Sequence, residues 1–235
     1  MSLSKIKRKL RQFSSKQQAK ILQRFFKTGR GEYAQGDIFI GVRVPVLRKL
    51  AKCHQNLAFN ETLKLLRSPV HEERLLALLI LILKYRNAGL PQKEKIFNAY
   101  LKYSRYINNW DLVDVTAKHI VGNFLADKDR KVIYELAGSD LLWERRIAIV
   151  ATAYFIGNND FKDTLKIAEI LICDPHDLIH KAVGWMLREV GKKDIISEEK
   201  FLNKYCSVMP RTMLRYAIER FTQPKRQKYL QGKSC

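Results

Sequence analysis

Residues 109–124 read NWDLVDVTAKHIVGNF. At about 100° per residue, the apolar side chains of this stretch fall on one helical stripe: Val113, Ala117, Ile120, Val121 and Phe124. Asp114 lies about 80° from the centre of that stripe, and Trp110 lies one turn earlier on the same side. A carboxylate and an indole at the edge of a buried face indicate the wall of a groove. A structural ion pair beside a packed tryptophan gives the same pattern.

The same kind of apolar helix recurs from residue 45 onward, and short turn signals such as Ser68-Pro69 and Asp174-Pro175 separate the helices. No stretch alternates like a β-strand. Five helices carry a small residue after a basic or polar one: Ala77, Ala117, Ala148, Gly184 and Ala217. Their spacing of roughly 31–40 residues is the period of paired-helix repeats. We therefore predict an all-α fold, an α-solenoid whose stacked helices line a concave face.

The charge balance indicates a polyanionic partner. Lys and Arg number 44 against 23 Asp and Glu, which gives a formal net charge of +21, and 46% of the residues are hydrophobic. Such a surplus on a chain with ample core residues favours nucleic acid as the partner, with an anionic membrane surface as the second candidate. We expect the concave face to be basic.

The sequence also predicts the compartment. The N-terminus is charged and lacks an apolar signal segment, and the longest apolar run, residues 75–83, is too short to cross a bilayer. The cysteines are scattered without a CxxC pair, which predicts reduced thiols and neither a disulfide framework nor a zinc site: Cys53, Cys173, Cys206 and Cys235. We expect a cytoplasmic, nucleoid-associated protein without a membrane segment.

The N-terminal region reads as one basic helix over residues 4–28, followed by a glycine-rich loop over residues 28–37. The loop lacks the Gly-Lys-Ser/Thr ending of a P-loop, so we interpret it as a connector. Val44-Pro45 is predicted to open the next helix, because proline suits a first turn.

A helix over residues 177–190 places a tryptophan away from its core. The predicted core stripe comprises Ile179, Ala182, Val183, Met186, Leu187 and Val190, and Trp185 points about 130° away from it, onto the face of Lys181 and Arg188. An indole between two cations suits a nucleic-acid surface. Packing against a neighbouring repeat, with a cation stacked on the ring, is the alternative.

A helix over residues 141–156 is apolar on all sides and is predicted to be buried between layers. Arg145 and Arg146 therefore each need a nearby anion. We expect one of them to pair with Asp111, Asp114 or Glu144 and the other to face a DNA phosphate. Cys173, His176 and His180 cluster nearby but lack a fourth ligand, and Pro175 predicts a helix start there, so no metal site is predicted.

Three tryptophan-bearing strings, residues 109–114, 143–148 and 181–189, occur together with Gly31-Glu32-Tyr33 and Gly36-Asp37. Together they resemble the AlkD family of alkylpurine DNA glycosylases, from about residue 20 to about residue 220. The resemblance implies a single domain of HEAT-like repeats over residues 1–235, curled around duplex DNA, with the basic termini unassigned.

The resemblance also implies an activity and a site. Members excise cationic N3- and N7-alkylated purines such as 3-methyladenine and 7-methylguanine, and they handle the lesion at the duplex surface. Position by position, Asp114 would be the catalytic carboxylate, Trp110 and Trp185 aromatic walls beside the deoxyribose, and Arg146 a partner of the DNA backbone. Neither a cofactor nor a metal is implied. We expect a monomeric, monofunctional glycosylase without lyase activity.

Two other function classes fit the same residues. A non-catalytic HEAT-repeat module would bind unusual DNA structures without releasing a base. A scaffold for a protein partner would show little dependence on DNA or on salt.

Overall fold

The computed structural model describes residues 3–232. Over that range the chain is helical, and β geometry is confined to one isolated bridge between Ile38 and Val70. This architecture confirms the all-α fold and is consistent with an α-solenoid of helical repeats. The HEAT type of the repeats and the basic concave face stay predictions.

The chain divides into two compact units, Met1–Leu112 and Val113–Cys235. A single domain over residues 1–235 therefore stays a prediction. A short 3-10 helix, Ser104–Tyr106, precedes the end of the first unit. The helices of the first unit are α1 Leu3–Arg11, α2 Lys16–Phe25, α3 Val44–Cys53, α4 Phe59–Leu66, α5 His71–Arg86 and α6 Leu90–Lys102.

The boundary between the units falls within α7, Trp110–Asp114. The second unit continues with a π-helical turn, Lys118–Gly122, and contains a 3-10 turn, Ile218–Arg220. Its further helices are α8 Lys131–Ala137, α9 Leu142–Ala151, α10 Ala153–Gly157, α11 Lys162–Ile170, α12 Asp177–Gly191, α13 Ile195–Tyr205, α14 Arg211–Ala217 and α15 Gln223–Leu230.

The prediction of one basic helix over residues 4–28 is wrong, because the chain breaks after Arg11 into α1 and α2. The Ser14 hydroxyl donates to the Arg11 carbonyl oxygen, and the Ser15 hydroxyl accepts from the Gln18 amide as the N-cap of α2. Serines favour caps over helix interiors for this reason. α1 packs through Ile6 and Leu10, both fully buried.

Helix α5 forms the centre of the first unit. Its residues 71–82 are buried, including the apolar run and four polar side chains at its start. A helix apolar on all sides is stable only between other elements, and α3 and α4 pack against it. The N-terminus of α5 therefore brings His71, Glu72 and Arg74 into the interior, where each requires a partner.

The small residues that marked the repeats are all buried: Ala77, Ala117, Ala148, Gly184 and Ala217. The reason is visible at Gly184 of α12, where an added Cβ would lie 2.4 Å from the Met213 carbonyl oxygen and 2.6 Å from the Tyr216 Cβ. The backbones of α12 and α14 thus approach each other too closely for a side chain to fit between them. The predicted core stripe of α12 is confirmed, since all six of its residues are buried.

The prediction of reduced thiols is confirmed for Cys53 and Cys173, which are free and exposed. Cys235 lies outside the described residues. In residues 3–232 no helix combines the length and the hydropathy that a bilayer crossing requires.

Candidate functional site

Helix α7 begins at Trp110 and ends at Asp114, so the two residues lie about one turn apart on the same helix. The side chain of Asn109 fixes the start of this helix, because its Oδ1 accepts a hydrogen bond from the Trp110 amide at 2.8 Å. Asn109 is itself fully buried. The two residues that the sequence singled out in this motif therefore lie on one short, anchored helix.

The Trp110 ring is half-buried in an aromatic cluster of the first unit. Phe26 stacks on the indole with ring centroids 5.2 Å apart, and Phe25 meets it edge-on at 6.0 Å. The indole Nε1–H donates to the Tyr33 hydroxyl at 3.2 Å. The glycine-rich loop, confirmed as a connector, thus supplies a hydrogen-bond partner that fixes the rotation of the Trp110 ring.

Asp111, next in α7, joins a buried polar network of the first unit. His71 Nε2 lies 2.8 Å from Asp111 Oδ2, and His71 Nδ1 lies 3.4 Å from Asp37 Oδ2. Arg74 donates to the same Asp37 oxygen at 2.7 Å, and Asn108 donates to Asp37 Oδ1 at 3.1 Å. The start of α5, the loop and the segment before α7 are held together by these bonds.

The network keeps His71 and Asp37 ionised against burial. Burial by itself lowers the pKa of His71, but the carboxylates of Asp111 and Asp37 outweigh it and raise that pKa above its ordinary value. Burial by itself raises the pKa of Asp37, but hydrogen bonding to His71 and the charge of Arg74 lower it overall. A protonated His71 between two carboxylates is the arrangement that these directions support.

Asp114 is held by Arg146 of α9, within the second unit. Arg146 Nε donates to Asp114 Oδ1 at 2.9 Å and Nη2 donates to Oδ2 at 2.8 Å, which is a bidentate ion pair. Arg146 Nη1 also donates to the Leu178 carbonyl oxygen at 2.5 Å. The Arg146 side chain is only 6% exposed, while that of Asp114 is 18% exposed. The fork of Arg146 is thus engaged inside the protein.

Arg145 forms a second internal ion pair. Its Nε donates to Asp174 Oδ2 at 2.6 Å, and its Nη1 donates to the carbonyl oxygens of Ser139 and Asp140 at 2.9 Å each. The requirement for an anion beside each arginine is confirmed. We expected only one of the two arginines to form an ion pair within the protein, and this is wrong because both do. The spacing of the sequence did not predict that Asp174 would lie beside Arg145.

Trp185 lies on the α12 face predicted for it and is half-buried. Its Nε1–H donates to Glu189 Oε1 at 3.1 Å. Lys181 pairs with Asp177 at 2.7 Å one turn earlier, and Arg188 donates to Glu219. The two cations on this face therefore have acidic neighbours, and their contact with DNA stays a prediction.

The cluster of Cys173, His176 and His180 is explained by the start of α12, as predicted. His176 is its N-cap, with the imidazole Nδ1 accepting from the Leu178 amide at 3.1 Å. Burial lowers the pKa of His176, which favours the neutral ring that this acceptor role requires.

Sequence reasoning missed the residues around Trp110 and Asp111, namely Phe26, Tyr33, Asp37, His71 and Arg74. The hydrogen bonds of this set join residues 34 to 77 positions apart, and such separations carry no periodic signal. Tyr33 and Asp37 did stand in the short strings that resembled a family, and this was the available signal.

A model of the family of DNA alkylation repair enzymes matches residues 6–221. The chain belongs to this family. As a DNA alkylation repair enzyme it has a role in DNA repair, and DNA is its substrate.

The chain is similar to a solved structure from Enterococcus faecalis, that of a predicted DNA alkylation repair enzyme. The TM-score between the two is 0.68. The match covers 89% of this chain and 97% of that chain at 15% sequence identity, so the likeness shows the fold. No curated protein matches the sequence.

Proposed function

We propose that this DNA alkylation repair enzyme is a monofunctional DNA glycosylase that hydrolyses the N-glycosidic bond of cationic N3- and N7-alkylated purines in duplex DNA. The observation that carries the proposal is the Asp114 carboxylate. It lies four residues after Trp110 on α7, and both of its oxygens are fixed by Arg146. Trp185 is the third residue of the proposed site.

The proposed reaction requires one fixed carboxylate. As the bond from C1′ to the purine nitrogen breaks, the electron pair goes to the cationic base, which leaves neutral. Positive charge develops on the deoxyribose, and a carboxylate stabilises that charge electrostatically. A water oxygen then bonds to C1′ and releases a proton to solvent. Because the alkylated base is already a good leaving group, no general acid is needed.

The ion pair with Arg146 serves this role by preorganisation. A carboxylate held by two hydrogen bonds of 2.8 and 2.9 Å does not reorient when charge develops beside it. Arg146 also offsets part of the negative field. We therefore expect the electrostatic contribution of Asp114 to lie near the lower end of the range for one such group, about 10²-fold in rate.

DNA binding is proposed for Lys181, Arg188, Arg145 and Arg146. Lys181 is 38% exposed and its pair with Asp177 is a surface pair, worth about 0–1 kcal/mol, so a phosphate can replace the aspartate. Arg188, Arg145 and Arg146 are more enclosed, with side chains 18%, 16% and 6% exposed. We propose that Lys181 and Arg188, which share the α12 face of Trp185, meet phosphate directly, and that Arg145 and Arg146 support DNA binding by holding Asp174 and Asp114 in place.

The test is release of free base. The protein is incubated with a duplex containing 7-methylguanine, in buffer with EDTA, and the free base is quantified by chromatography. A glycosylase releases 7-methylguanine and leaves an abasic strand that is cut only after heating in alkali. Binding without release would instead identify a non-catalytic DNA-binding module. Neither binding nor release would favour a scaffold for a protein partner.

A further inference from the structure

The first unit contains a cavity that the proposed chemistry does not use. Its volume is ≈ 450 Å³, and it lies beside the aromatic cluster around Trp110. Small-ligand sites span about 300–1,000 Å³, so this cavity has room for one small heterocycle and not for a folded segment. Its lining includes Phe25, Phe26, Phe39, His71, Glu72 and Asp111.

One wall of the cavity consists of three stacked rings. Phe39 stacks on Phe26 with centroids 5.1 Å apart and planes 12° apart, and it also stacks on His71 at 4.4 Å. These three side chains are buried. Phe25 differs, because it stands at 87° to Phe26 and is 61% exposed. A large ring left that exposed on a cavity wall indicates a surface that a planar ligand covers.

The cavity also carries acidic groups. Asp111 uses Oδ2 for His71, and its buried Oδ1 has no hydrogen-bond partner among the described residues. Glu72 accepts backbone amides from Ile40, Gly41 and Val42. An unsatisfied buried carboxylate oxygen requires an N–H donor, and aromatic walls with carboxylates attract a planar ring that carries N–H groups or positive charge.

We propose that this cavity binds a purine base, stacked on Phe25, with an N–H group donating to Asp111 Oδ1. That the base is an alkylated one rests on the proposed function. A purine matches the chemistry because it offers a flat π-face and ring or exocyclic N–H donors in one small body. The base has two sources, the free product after excision and a base still attached to DNA but unstacked from it.

Calorimetric titration of free 7-methylguanine and free 3-methyladenine into the full-length protein, without DNA, tests the site. We expect saturable binding by the wild type. Phe25→Ala should weaken it about tenfold, the scale of one lost base–aromatic stack. Asp111→Asn, which keeps shape but exchanges a carboxylate for an amide, should weaken it by a similar factor, since a charged acceptor is lost.

Phe13→Ala is the matched control, because Phe13 is also an exposed phenylalanine, at 48%, but lies outside this cavity. It should bind the bases as the wild type does. Thermal unfolding of each variant establishes that it is folded. Absence of saturable binding by the wild type, or equal losses in Phe13→Ala and Phe25→Ala, would overturn the proposal.

A competition arm distinguishes the two sources. Anisotropy reports binding of a duplex with the uncleavable analogue 7-deaza-7-methylguanine, with and without saturating free 7-methylguanine. Competition supports a site for the attached base, and unchanged duplex affinity supports a product site. The proposed function is judged separately: base binding without excision would refute only the glycosylase, and excision without base binding would refute only this cavity assignment.

Discussion

Asp114 and Asp174 hold equivalent positions in two neighbouring ion pairs. Each fixes one of two consecutive arginines of α9, at 2.9 and 2.8 Å for Asp114 with Arg146 and at 2.6 Å for Asp174 with Arg145. Asp114 alone lies in the tryptophan motif. A structural role predicts the same consequences for both carboxylates, whereas a catalytic role predicts a difference.

Asp114→Asn should lower single-turnover excision of 7-methylguanine by about 10²-fold, because it removes the charge that stabilises the oxocarbenium-like transition state. Asp174→Asn should leave excision within a few-fold of the wild type. Both changes should lower thermal stability, by about 1–3 kcal/mol, since each leaves a buried guanidinium with an amide in place of a carboxylate. Excision and unfolding are measured on the same preparations. Equal excision by the two variants would assign Asp114 to structure.

For single residues, the sequence predicted which side chains need a partner but not which residue that partner is. The need of Arg145 and Arg146 for anions follows from their apolar helix, because a buried charge is unstable alone. The identity of each anion does not follow, since Asp114 and Asp174 are each about 30 residues from their arginine and arrive by tertiary packing.

Among the elements, α12 and α14 depend on a glycine. Gly184→Ala should destabilise the protein by about 1–3 kcal/mol, because the new Cβ would lie 2.4 Å from the Met213 carbonyl oxygen, well inside contact distance. Gly157→Ala is the control, since its Cβ meets nothing within 4 Å. Chemical denaturation measures both. If Gly184→Ala unfolds at the wild-type denaturant concentration, the two helices do not require backbone contact.

Helical periodicity predicted the long helices well where their apolar residues lie on one face. All six predicted core residues of α12 are buried, and Trp185 is outside that stripe. Periodicity failed where local hydrogen bonds compete with the helix. Ser14 and Ser15 end α1 and start α2, and the Thr152 hydroxyl bonds back to Ile149 at 2.6 Å where α9 ends and α10 begins. An apolar count does not register such competition.

The net charge of +21 acts at the scale of the whole molecule. Affinity for duplex DNA should fall steeply with salt, because bound lysines and arginines displace condensed counterions. Lys181→Ala should reduce the slope of log affinity against log salt by about 1. Lys131→Ala is the matched control, because Lys131 also pairs with an acid one turn away, Glu135 at 3.5 Å. A flat salt dependence of the wild type would exclude the charge-driven interface.

Stability should also depend on pH through Glu198. Burial, and secondarily the charge of Glu199, raise the pKa of Glu198 from 4.5 to about 8. Between these values the folded state keeps a proton that the unfolded chain releases, so stability falls as pH rises from about 4.5 to about 8. Glu198→Gln should flatten the melting temperature over that range. Glu135→Gln is the exposed control, and identical pH profiles for wild type and Glu198→Gln would contradict the assignment.

The carboxylate of Glu72 limits the motion of the loop over residues 40–42. It accepts the amides of Ile40, Gly41 and Val42 at 2.7–3.3 Å, so three loop residues depend on a side chain of the central helix α5. Those amides stay bonded while α5 is folded, because Glu72 is buried at its start and is held in place by that helix. In hydrogen–deuterium exchange, residues 40–42 should therefore exchange as slowly as the interior of α5, and Glu72→Ala, which removes the acceptor, should detach the loop and give it the fast exchange of solvent-exposed amides.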